Sequence, residues 1–456
     1  MDTKVPLPSQ DLPVPASTGM EESIRRKRCK KLKVFRKLAV TALLLWVGSR
    51  YLRLQSPISF KEDDDEHWPI PKDMSADCAS WSDTVETDPD ITEEFPYSAE
   101  AAFELPVSAD TLFLISRSHG RRPFSSGNIN YVQSDEVSDS IKVDVTAYFW
   151  HEKYLDASKA CLLKRDDEHT GVGIFTKWDE PRRRHRHEHQ KLRFDVRVTF
   201  PRTEDDSPLD INRFFTDLEI YSQTFADLSN VAFGHLGLRS SLAGVRAESL
   251  TARNATIASS LGPIKIQSLV ASEAYLATSL APIEGTFNGS HITLTTSNAP
   301  IKVDINLSHE SDHDKAQLRM NTQNAPIDAT LNLLSSKDES GFDVIAHTAH
   351  GRLGLDVVSA PLNSNLALHA TTAIAPAYVG LPVTYEGSFY AETSLGSVTV
   401  AIDGEAEDPA GKGRKRIANS EGNRGRSSGK VGWSEEGMER GEVTVVTSLS
   451  AVEIKL

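Results

Sequence analysis

TSNAPIKVDI, residues 296–305, places a proline directly before three alternating apolar residues. Alternation with a period of two is typical of a β-strand that buries one face. Proline suits the entrance of such a strand, because it cannot donate a hydrogen bond to a ladder. The pattern therefore predicts that Ile301, Val303 and Ile305 point into a core, and that the residues between them face solvent.

Copies of this stretch recur along the chain. Aligned on Pro300, they read SLAGVRAESL (241–250), SLGPIKIQSL (260–269), SLAPIEGTFN (279–288), SNAPIKVDIN (297–306), QNAPIDATLN (323–332) and, more weakly, AHGRLGLDVV (349–358). The aligned positions are 19, 19, 18, 26 and 26 residues apart, and two degenerate relatives follow at 393–402 and 447–456. A period of about 20 residues is typical of a solenoid, in which each unit buries its apolar face by stacking on its neighbours. We therefore expect residues 236–403 to form a β-solenoid that resembles a parallel β-helix.

Residues 96–235 also predict a mainly β fold. Six short runs rich in β-branched and aromatic residues are separated by turn residues: DTLFLISRS (110–118), GNINYVQS (127–134), DSIKVDVTAYFW (139–150), ACLLKR (160–165), GVGIFTKW (171–178) and KLRFDVRVTF (191–200). In the third run, Ile141, Val143 and Val145 fall on one face. Runs of this kind predict an antiparallel β-sheet module that leads into the repeats.

The charge of the chain is unevenly distributed. Residues 1–54 hold 12 Lys and Arg against 4 Asp and Glu, whereas the whole chain has a net charge of −14. Such asymmetry indicates that the two parts meet different surroundings. The strongly acidic remainder argues against nucleic acid as a partner, because duplex binding depends on neutralising phosphates.

A basic run, RRKRCKKLKVFRK (25–37), precedes the apolar run LAVTALLLWVGS (38–49). Cationic residues before an apolar segment favour leaving that flank in the cytosol. We expect a cytosolic basic tail at 1–37 and a transmembrane signal-anchor helix at 38–54, so that the chain spans a membrane once in the type II orientation. Two alternatives stay open: a cleaved signal peptide, and a soluble nuclear protein whose basic run is an import signal.

Three further segments have distinct compositions. Residues 61–95 contain 13 acidic residues against 2 lysines, which predicts a disordered acidic stalk at 55–95. Residues 404–440 are rich in Gly, Ser and Arg, which predicts a flexible insertion. The final run, 441–456, has lost the Asn-Ala-Pro signature and is expected to be a terminal strand or cap.

Candidate modification sites are three Asn-x-Ser/Thr sequons and one pair of cysteines. The sequons begin at Asn254, Asn288 and Asn306, and would carry N-glycans in a secretory compartment. Cys78 and Cys161 both follow the apolar run. They would form a disulfide if the body lies in an oxidising compartment, and two free thiols are the alternative.

No metal or cofactor site is expected. His185, His187 and His189 alternate within PRRRHRHEHQ (181–190), but the adjacent arginines would repel a cation. An exposed hairpin loop is therefore the favoured interpretation of this stretch. The chain has no G-x-S-x-G, HExxH or Walker motif and no strand-linked GxGxxG.

The outward face of the repeats carries Asp304, Asp328 and Asp356. Glycoside hydrolysis needs two carboxyls at a defined separation, one of them with a pKa raised by burial. These aspartates alternate with lysines and polar residues, which favours a solvated surface over a catalytic pair. No small-molecule substrate is expected.

Several motifs together resemble a known family. They are the basic patch with its apolar run, FELPVSADTLFLISR (103–117), SIKVDVTAYFW (140–150), GVGIFT (171–176), the API repeats, DPAGKGRKR (408–416) and GEVTVVTSLSAVEIKL (441–456). Over about residues 100–456, the chain resembles a family of fungal single-pass membrane proteins of unknown function with adhesin-like β-solenoid repeats. The resemblance implies a membrane-anchored scaffold and brings no catalytic residues with it.

The residues and the resemblance together favour a membrane-anchored structural or interaction protein without catalysis. Its body, in the secretory lumen or outside the cell, would present the solenoid face to a polysaccharide or to another protein. The alternatives are a carbohydrate-active enzyme on a β-helix scaffold and a soluble nuclear or cytosolic scaffold.

Overall fold

The computed structural model describes residues 68–87, 95–119, 126–166, 168–177, 192–310, 314–337 and 339–456. The expected basic tail at 1–37, the expected anchor at 38–54 and the histidine-containing stretch at 181–190 lie outside the described residues. Among the residues that are described, no helix is both long enough and apolar enough to cross a membrane.

The described part of the chain is mainly β-structure. The first ten strands are β1 (Ser75–Cys78), β2 (Val85–Glu86), β3 (Tyr97–Pro106), β4 (Thr111–His119), β5 (Gly127–Val137), β6 (Ser140–Phe149), β7 (Ser158–Lys164), β8 (His169–Lys177), β9 (Leu192–Arg202) and β10 (Leu209–Leu218). The next nine are β11 (Tyr221–Ser240), β12 (Val245–Ser259), β13 (Ile264–Thr278), β14 (Ile283–Gly289), β15 (His291–Thr295), β16 (Ile301–His309), β17 (Ala316–Asn321), β18 (Ile327–Ser335) and β19 (Gly341–His347). The last nine are β20 (Leu353–Ser359), β21 (Asn365–Thr371), β22 (Ala377–Gly380), β23 (Gly387–Glu392), β24 (Val398–Ala401), β25 (Ile417–Asn423), β26 (Arg426–Gly432), β27 (Gly441–Val446) and β28 (Val452–Lys455). A short helix, α1 (Glu152–Asp156), and a 3₁₀ turn (Gly437–Glu439) accompany them.

Parallel pairing dominates from β10 onward and forms two ladders. The first ladder has the spatial order β5, β11, β12, β13, β14, β16, β18, β20, β22, β28 and β24. The second ladder has the spatial order β4, β10, β11, β12, β13, β15, β17, β19, β21, β27 and β23. The three longest strands, β11, β12 and β13, take part in both ladders and so connect them.

The expected inward face of the repeats is confirmed. Ile283, Ile301 and Ile327 stand opposite one another on consecutive strands of the first ladder, and all three are fully buried. Lys302 and Asp304, between the buried positions, are exposed. Burying one such aliphatic side chain stabilises a fold by roughly 1.5–3 kcal/mol, so the stacked apolar rows are a main source of stability.

The six strands expected between residues 110 and 200 are confirmed as β4–β9. The expected boundary at 235/236 falls inside β11. The expected antiparallel pairing is found for β3–β6, β6–β9 and β7–β8, whereas β4–β8 and β5–β9 pair in parallel. An alternating pattern identifies a strand but not its partner, so it does not specify where one group of paired strands gives way to the next.

Part of the expected acidic stalk is folded against the body. Within 55–95, β1 pairs with β7, and β2 pairs with β3. Trp81 packs on Phe194 with ring centroids 6.2 Å apart. A few apolar contacts and a strand partner therefore order a segment that its charge alone would leave disordered.

The expected flexible insertion at 404–440 contains a hairpin. Strands β25 and β26 pair antiparallel, and β26 also pairs antiparallel with β23. Trp433 is buried after β26, and its indole N–H donates to the Val383 carbonyl at 2.9 Å. Much of the Gly and Ser content of this segment, from Ser420 to Gly432, thus belongs to a strand pair that covers the edge of β23.

The loop before the hairpin is organised around Asp408. Its carboxylate accepts hydrogen bonds from the backbone N–H groups of Ala410, Lys412 and Arg414 and from the Arg414 guanidinium. Both glycines between these donors have a φ of 65°, a left-handed conformation that glycine adopts without strain. The hydrogen bonds from Arg414 hold the pKa of Asp408 well below its ordinary value.

The final run, 441–456, does not form the last strand of either ladder. Strand β27 lies between β21 and β23, and β28 lies between β22 and β24. The expected strand is present in this run as β27 and β28, whereas β23 and β24, which precede the hairpin in sequence, occupy the end of the ladders. Strands β27 and β28 therefore come later in the chain than the strands on either side of them.

Nine corners at which the chain passes from the second ladder to the first contain a buried hydroxyl. These are Ser240, Ser259, Thr278, Thr296, Thr322, Thr348, Thr372, Thr393 and Thr447. Thr348 Oγ1 is typical: it accepts a hydrogen bond from the Gly351 backbone N–H at 3.1 Å and donates to the Ala325 carbonyl of the preceding corner at 3.1 Å. The hydroxyl thereby satisfies two backbone groups in the turn and links one corner to the next.

Replacing Thr348 with Val should destabilise the fold by about 1–3 kcal/mol, because it leaves a buried N–H and a buried carbonyl without that partner. Urea denaturation of the purified protein measures the loss. Thr348→Ser keeps the hydroxyl and should cost about 1 kcal/mol or less. Thr330→Val on the outer face is the second control, and an equal loss in all three variants would contradict the role of the hydroxyl.

Replacing Asp408 with Asn should open the loop at 408–416, because a neutral amide cannot pair with Arg414 and brings donors where acceptors are needed. Limited trypsin digestion should then cut faster after Lys412, Arg414 and Lys415. Because the pKa of Asp408 is lowered in the folded chain, its stabilisation is complete above the ordinary carboxyl pKa and is lost as the pH falls through the lowered value. Glu407→Gln, at an exposed neighbour, is the control that should keep the original digestion rate.

Candidate functional site

The outer face of the first ladder carries rows of side chains that run across the strands. Parallel strands in register place equivalent residues side by side. The first row is Asn130, Thr224, Arg246, Lys265 and Glu284, on β5, β11, β12, β13 and β14. The second row, two residues further along the strands, is Val132, Ala226, Glu248 and Gln267.

These two rows are the walls of a groove of about 550 Å³, which we name the outer groove. Its floor is the backbone that lies between the rows: Tyr131, Phe225, Ala247, Ile266 and Gly285. Successive outward residues are about 6.8 Å apart along a strand, and five strands span about 19 Å. The outer groove is therefore a long, narrow slot that crosses the strands.

The floor of the outer groove is rigid. Beneath it, the rings of Tyr131 and Phe225 stack with centroids 3.9 Å apart. The Tyr131 hydroxyl donates to Gln223 Oε1 at 3.0 Å, and the Thr216 hydroxyl donates to the same oxygen at 2.9 Å. Burial raises the pKa of Tyr131 well above its ordinary value, so the phenol stays neutral and acts as a structural group.

The charges of the outer groove are balanced. Lys265 Nζ lies 2.8 Å from Glu284 Oε2, which neutralises one end. Arg246 and Glu248 stand two residues apart on β12, both exposed. Within the described residues, neither of their side chains has an ion pair or hydrogen bond. The outer groove thus offers one unpaired cation and one unpaired anion to a ligand, without a net field of either sign.

The three aspartates considered for catalysis lie outside the outer groove. Asp304 and Asp356 are exposed, and Asp328 accepts a hydrogen bond from the Arg352 guanidinium at 2.6 Å. A glycosidase acid needs a buried carboxyl whose pKa is raised by its surroundings. The positions of these three side chains do not favour the enzyme alternative.

Two of the sequon asparagines belong to a hydrogen-bonded column on adjacent strands. The Asn306 amide donates to Asn288 Oδ1, and the Asn332 amide donates to Asn306 Oδ1 at 3.0 Å. The Ser359 hydroxyl extends the column by donating to Asn332 Oδ1 at 3.0 Å. Asn288 and Asn306 therefore hold neighbouring strands together in addition to being candidate glycan acceptors.

Asn254, the third sequon asparagine, stands apart from this column. It lies on β12, where its amide donates to Glu273 Oε2 on β13 at 2.7 Å. Like Asn288 and Asn306, it is half-buried on an outward position. All three sequons thus lie on strands of the parallel ladders.

Cys78 and Cys161 form a disulfide with an S–S distance of 2.07 Å. They stand opposite each other in the pairing of β1 with β7, and Cys161 is fully buried. The bond therefore holds the folded part of the acidic segment to the body.

The described residues contain no cluster of three or more His, Cys, Asp or Glu that could hold a metal ion. The stretch with His185, His187 and His189 lies outside them. The outer groove itself was missed in the sequence, because its walls come from five strands between residues 127 and 289 and follow no linear motif. The only available signal was the shared register of Arg246, Lys265 and Glu284 in the aligned repeats.

Comparisons with known proteins give only distant structural similarities. No family model matches the chain, and no curated protein matches it. Among solved structures, the chain is similar to one described as a "putative cell adhesion protein" from Clostridium sporogenes, with 10% identity and a TM-score of 0.17 over 78% of this chain and 99% of the other. It is also similar to a "putative adhesin" from Bacteroides fragilis, with 8% identity and a TM-score of 0.27 over 78% of this chain and 96% of the other. A third, a "putative adhesin" from Parabacteroides merdae, has 11% identity and a TM-score of 0.26 over 59% of this chain and 95% of the other. At TM-scores below 0.5, these similarities carry no argument about the fold or the function of this chain.

Replacing Cys78 with Ala should lower the free energy of unfolding by about 2–4 kcal/mol, because the disulfide closes a long loop in the unfolded chain. The two cysteines are 83 residues apart in sequence. Urea denaturation of the oxidised protein and the variant measures the difference. Added reductant is the control: it should bring the original protein to the stability of the variant and leave the variant unchanged.

Proposed function

We propose that this chain is a membrane-anchored, extracytoplasmic interaction protein whose repeats form an adhesin-like β-solenoid, without catalysis. The anchor is the apolar run at 38–54, and the basic tail at 1–37 faces the cytosol. The body uses its outer face to contact a polysaccharide or another protein. The single observation that carries this proposal is the outer groove on a rigid parallel ladder, because it is a ready-made contact surface without a catalytic constellation.

Two observations support an extracytoplasmic body. Disulfides persist in oxidising compartments and are rare in the cytosol, and Cys78 is bonded to Cys161. The three sequons lie on outward positions of the ladders, where a glycan has access to solvent. Both observations disfavour the soluble nuclear or cytosolic alternative.

Two features also support a non-catalytic role. Asp304 and Asp356 are exposed, and Asp328 is paired with Arg352, so none of them has the environment of a glycosidase acid. The described lining of the outer groove consists of amide, hydroxyl, charged and small apolar side chains over a floor of backbone. Its chemistry is that of a hydrogen-bonding surface.

Protease protection tests the topology. In sealed microsomes from a eukaryotic expression host, the body should resist protease added from the cytosolic side, and an N-glycosidase should reduce its apparent mass. Asn288 and Asn306 are bonded neighbours on adjacent strands, so we expect at most one of them to carry a glycan, and at most two glycans in total with Asn254.

Detergent-opened microsomes are the control, since the body should then be digested. Variants with Asn254→Gln, Asn288→Gln or Asn306→Gln assign the glycans. A body that is digested in sealed microsomes and carries no glycan would refute the proposed topology.

A further inference from the structure

We propose that the outer groove binds a linear, uncharged polysaccharide, which lies across the strands with successive sugar residues at successive strands. This inference rests on the proposed extracytoplasmic interaction role and names the ligand class of the same face. It is carried by the shape of the groove, the backbone of its floor and the balance of its charges.

The shape of the outer groove favours a linear polymer. The first row of side chains crosses five strands over about 19 Å, the second row crosses four of them, and about 6.8 Å separates the two rows. Its walls repeat at every strand, about 4.8 Å apart. That repeat is similar to the length of one pyranose residue in an extended glycan, so successive sugars meet successive side chains of the same row.

The floor of the outer groove excludes a peptide strand. Peptides that bind to sheets add to an edge, where unpaired backbone N–H and carbonyl groups are available. Strands β11, β12 and β13 each have a neighbour on both sides in the first ladder. Their backbone groups are committed to these ladders, so a ligand in the groove must bond to side chains instead.

The walls offer the hydrogen-bonding groups that sugar hydroxyls need. Asn130 and Gln267 provide amides, Thr224 provides a hydroxyl, and Arg246 and Glu248 provide a charged donor and a charged acceptor. Hydrogen bonds from a neutral hydroxyl to a charged group are stronger than those between neutral groups. Arg246 and Glu248, which have no partner among the described residues, are therefore the strongest contacts available to the ligand.

The charge balance gives polyanions no net attraction to the outer groove. Arg246 and Lys265 are matched by Glu248 and Glu284, and Lys265 is already paired with Glu284. An acidic glycan or a nucleic acid would meet two carboxylates beside the two cations, so attraction and repulsion offset each other. An uncharged glycan meets no such repulsion, and its binding should depend only weakly on salt concentration.

The test is co-sedimentation of the detergent-solubilised full-length protein with particulate β-glucan and with chitin, and titration with soluble alginate as the polyanion. The groove variant combines Arg246→Ala with Glu248→Gln. The control combines Lys302→Ala with Asp304→Asn, which removes the same pattern of charges from the same two rows, three strands further along the first ladder.

We expect the original protein and the control to bind one of the neutral particles equally at low and high salt. The groove variant should bind about tenfold more weakly, the loss expected for about 1.4 kcal/mol of charge-assisted hydrogen bonding. Neutral-glycan binding that is the same in the groove variant and the original protein would overturn the site but leave the proposed function standing. Binding to alginate alone, or to no polysaccharide, would overturn the ligand class, while the topology is decided separately by protease protection.

Discussion

The structure depends on how the corners from the second ladder to the first satisfy their own backbone groups. A corner interrupts both ladders, so some of its N–H and carbonyl groups need partners other than a neighbouring strand. A buried Thr or Ser supplies the missing bonds: Thr348 accepts from the Gly351 N–H and donates to the Ala325 carbonyl one corner earlier. The proline that follows at several of these corners has no N–H to satisfy, and its carbonyl accepts from the first residue of the adjacent strand, so the next strand starts at a fixed residue. Once the corners are fixed, the apolar rows must stack in register.

The arrangement of side chains on the outer surface follows from that register. Because equivalent residues stand side by side, the outward positions form rows whose chemistry changes only gradually from one strand to the next. The asparagine column from Asn288 to Asn332 and the row that contains Arg246 and Lys265 are both consequences of this stacking. A repeated surface of this kind suits a repeated ligand better than a compact one. The rigid core beneath Tyr131 and Phe225 keeps the rows in place without any contribution from the ligand.

Local features were predictable from the sequence, because strand alternation and turn chemistry depend on neighbouring residues. The strands β4–β9 and the buried face of Ile301 are of this kind. The corner hydroxyls were overlooked although Thr296 precedes Pro300 in the opening stretch, because a Thr or Ser at a turn is common in any protein. A further copy of the corner, at Pro376 in TAIAPAYVG, was also overlooked, although its carbonyl accepts from the Leu353 N–H like those of the other copies. Its strand, β22, has only four residues and leaves too short an alternation to recognise.

The sequence by itself determined which segments are strands, which face of each is buried and where the corner is repeated, since each of these features depends on residues that are close along the chain. Only the tertiary structure decided which strands are neighbours. In the structure, β27 and β28 lie between earlier strands, and the segment after Asp403 contains a hairpin. Asn130 lies beside Thr224, which lies beside Arg246, in the first row of the outer groove. The physical reason is that the alternation of a strand specifies what it buries, whereas its partner is selected by long-range stacking among many strands with nearly the same pattern.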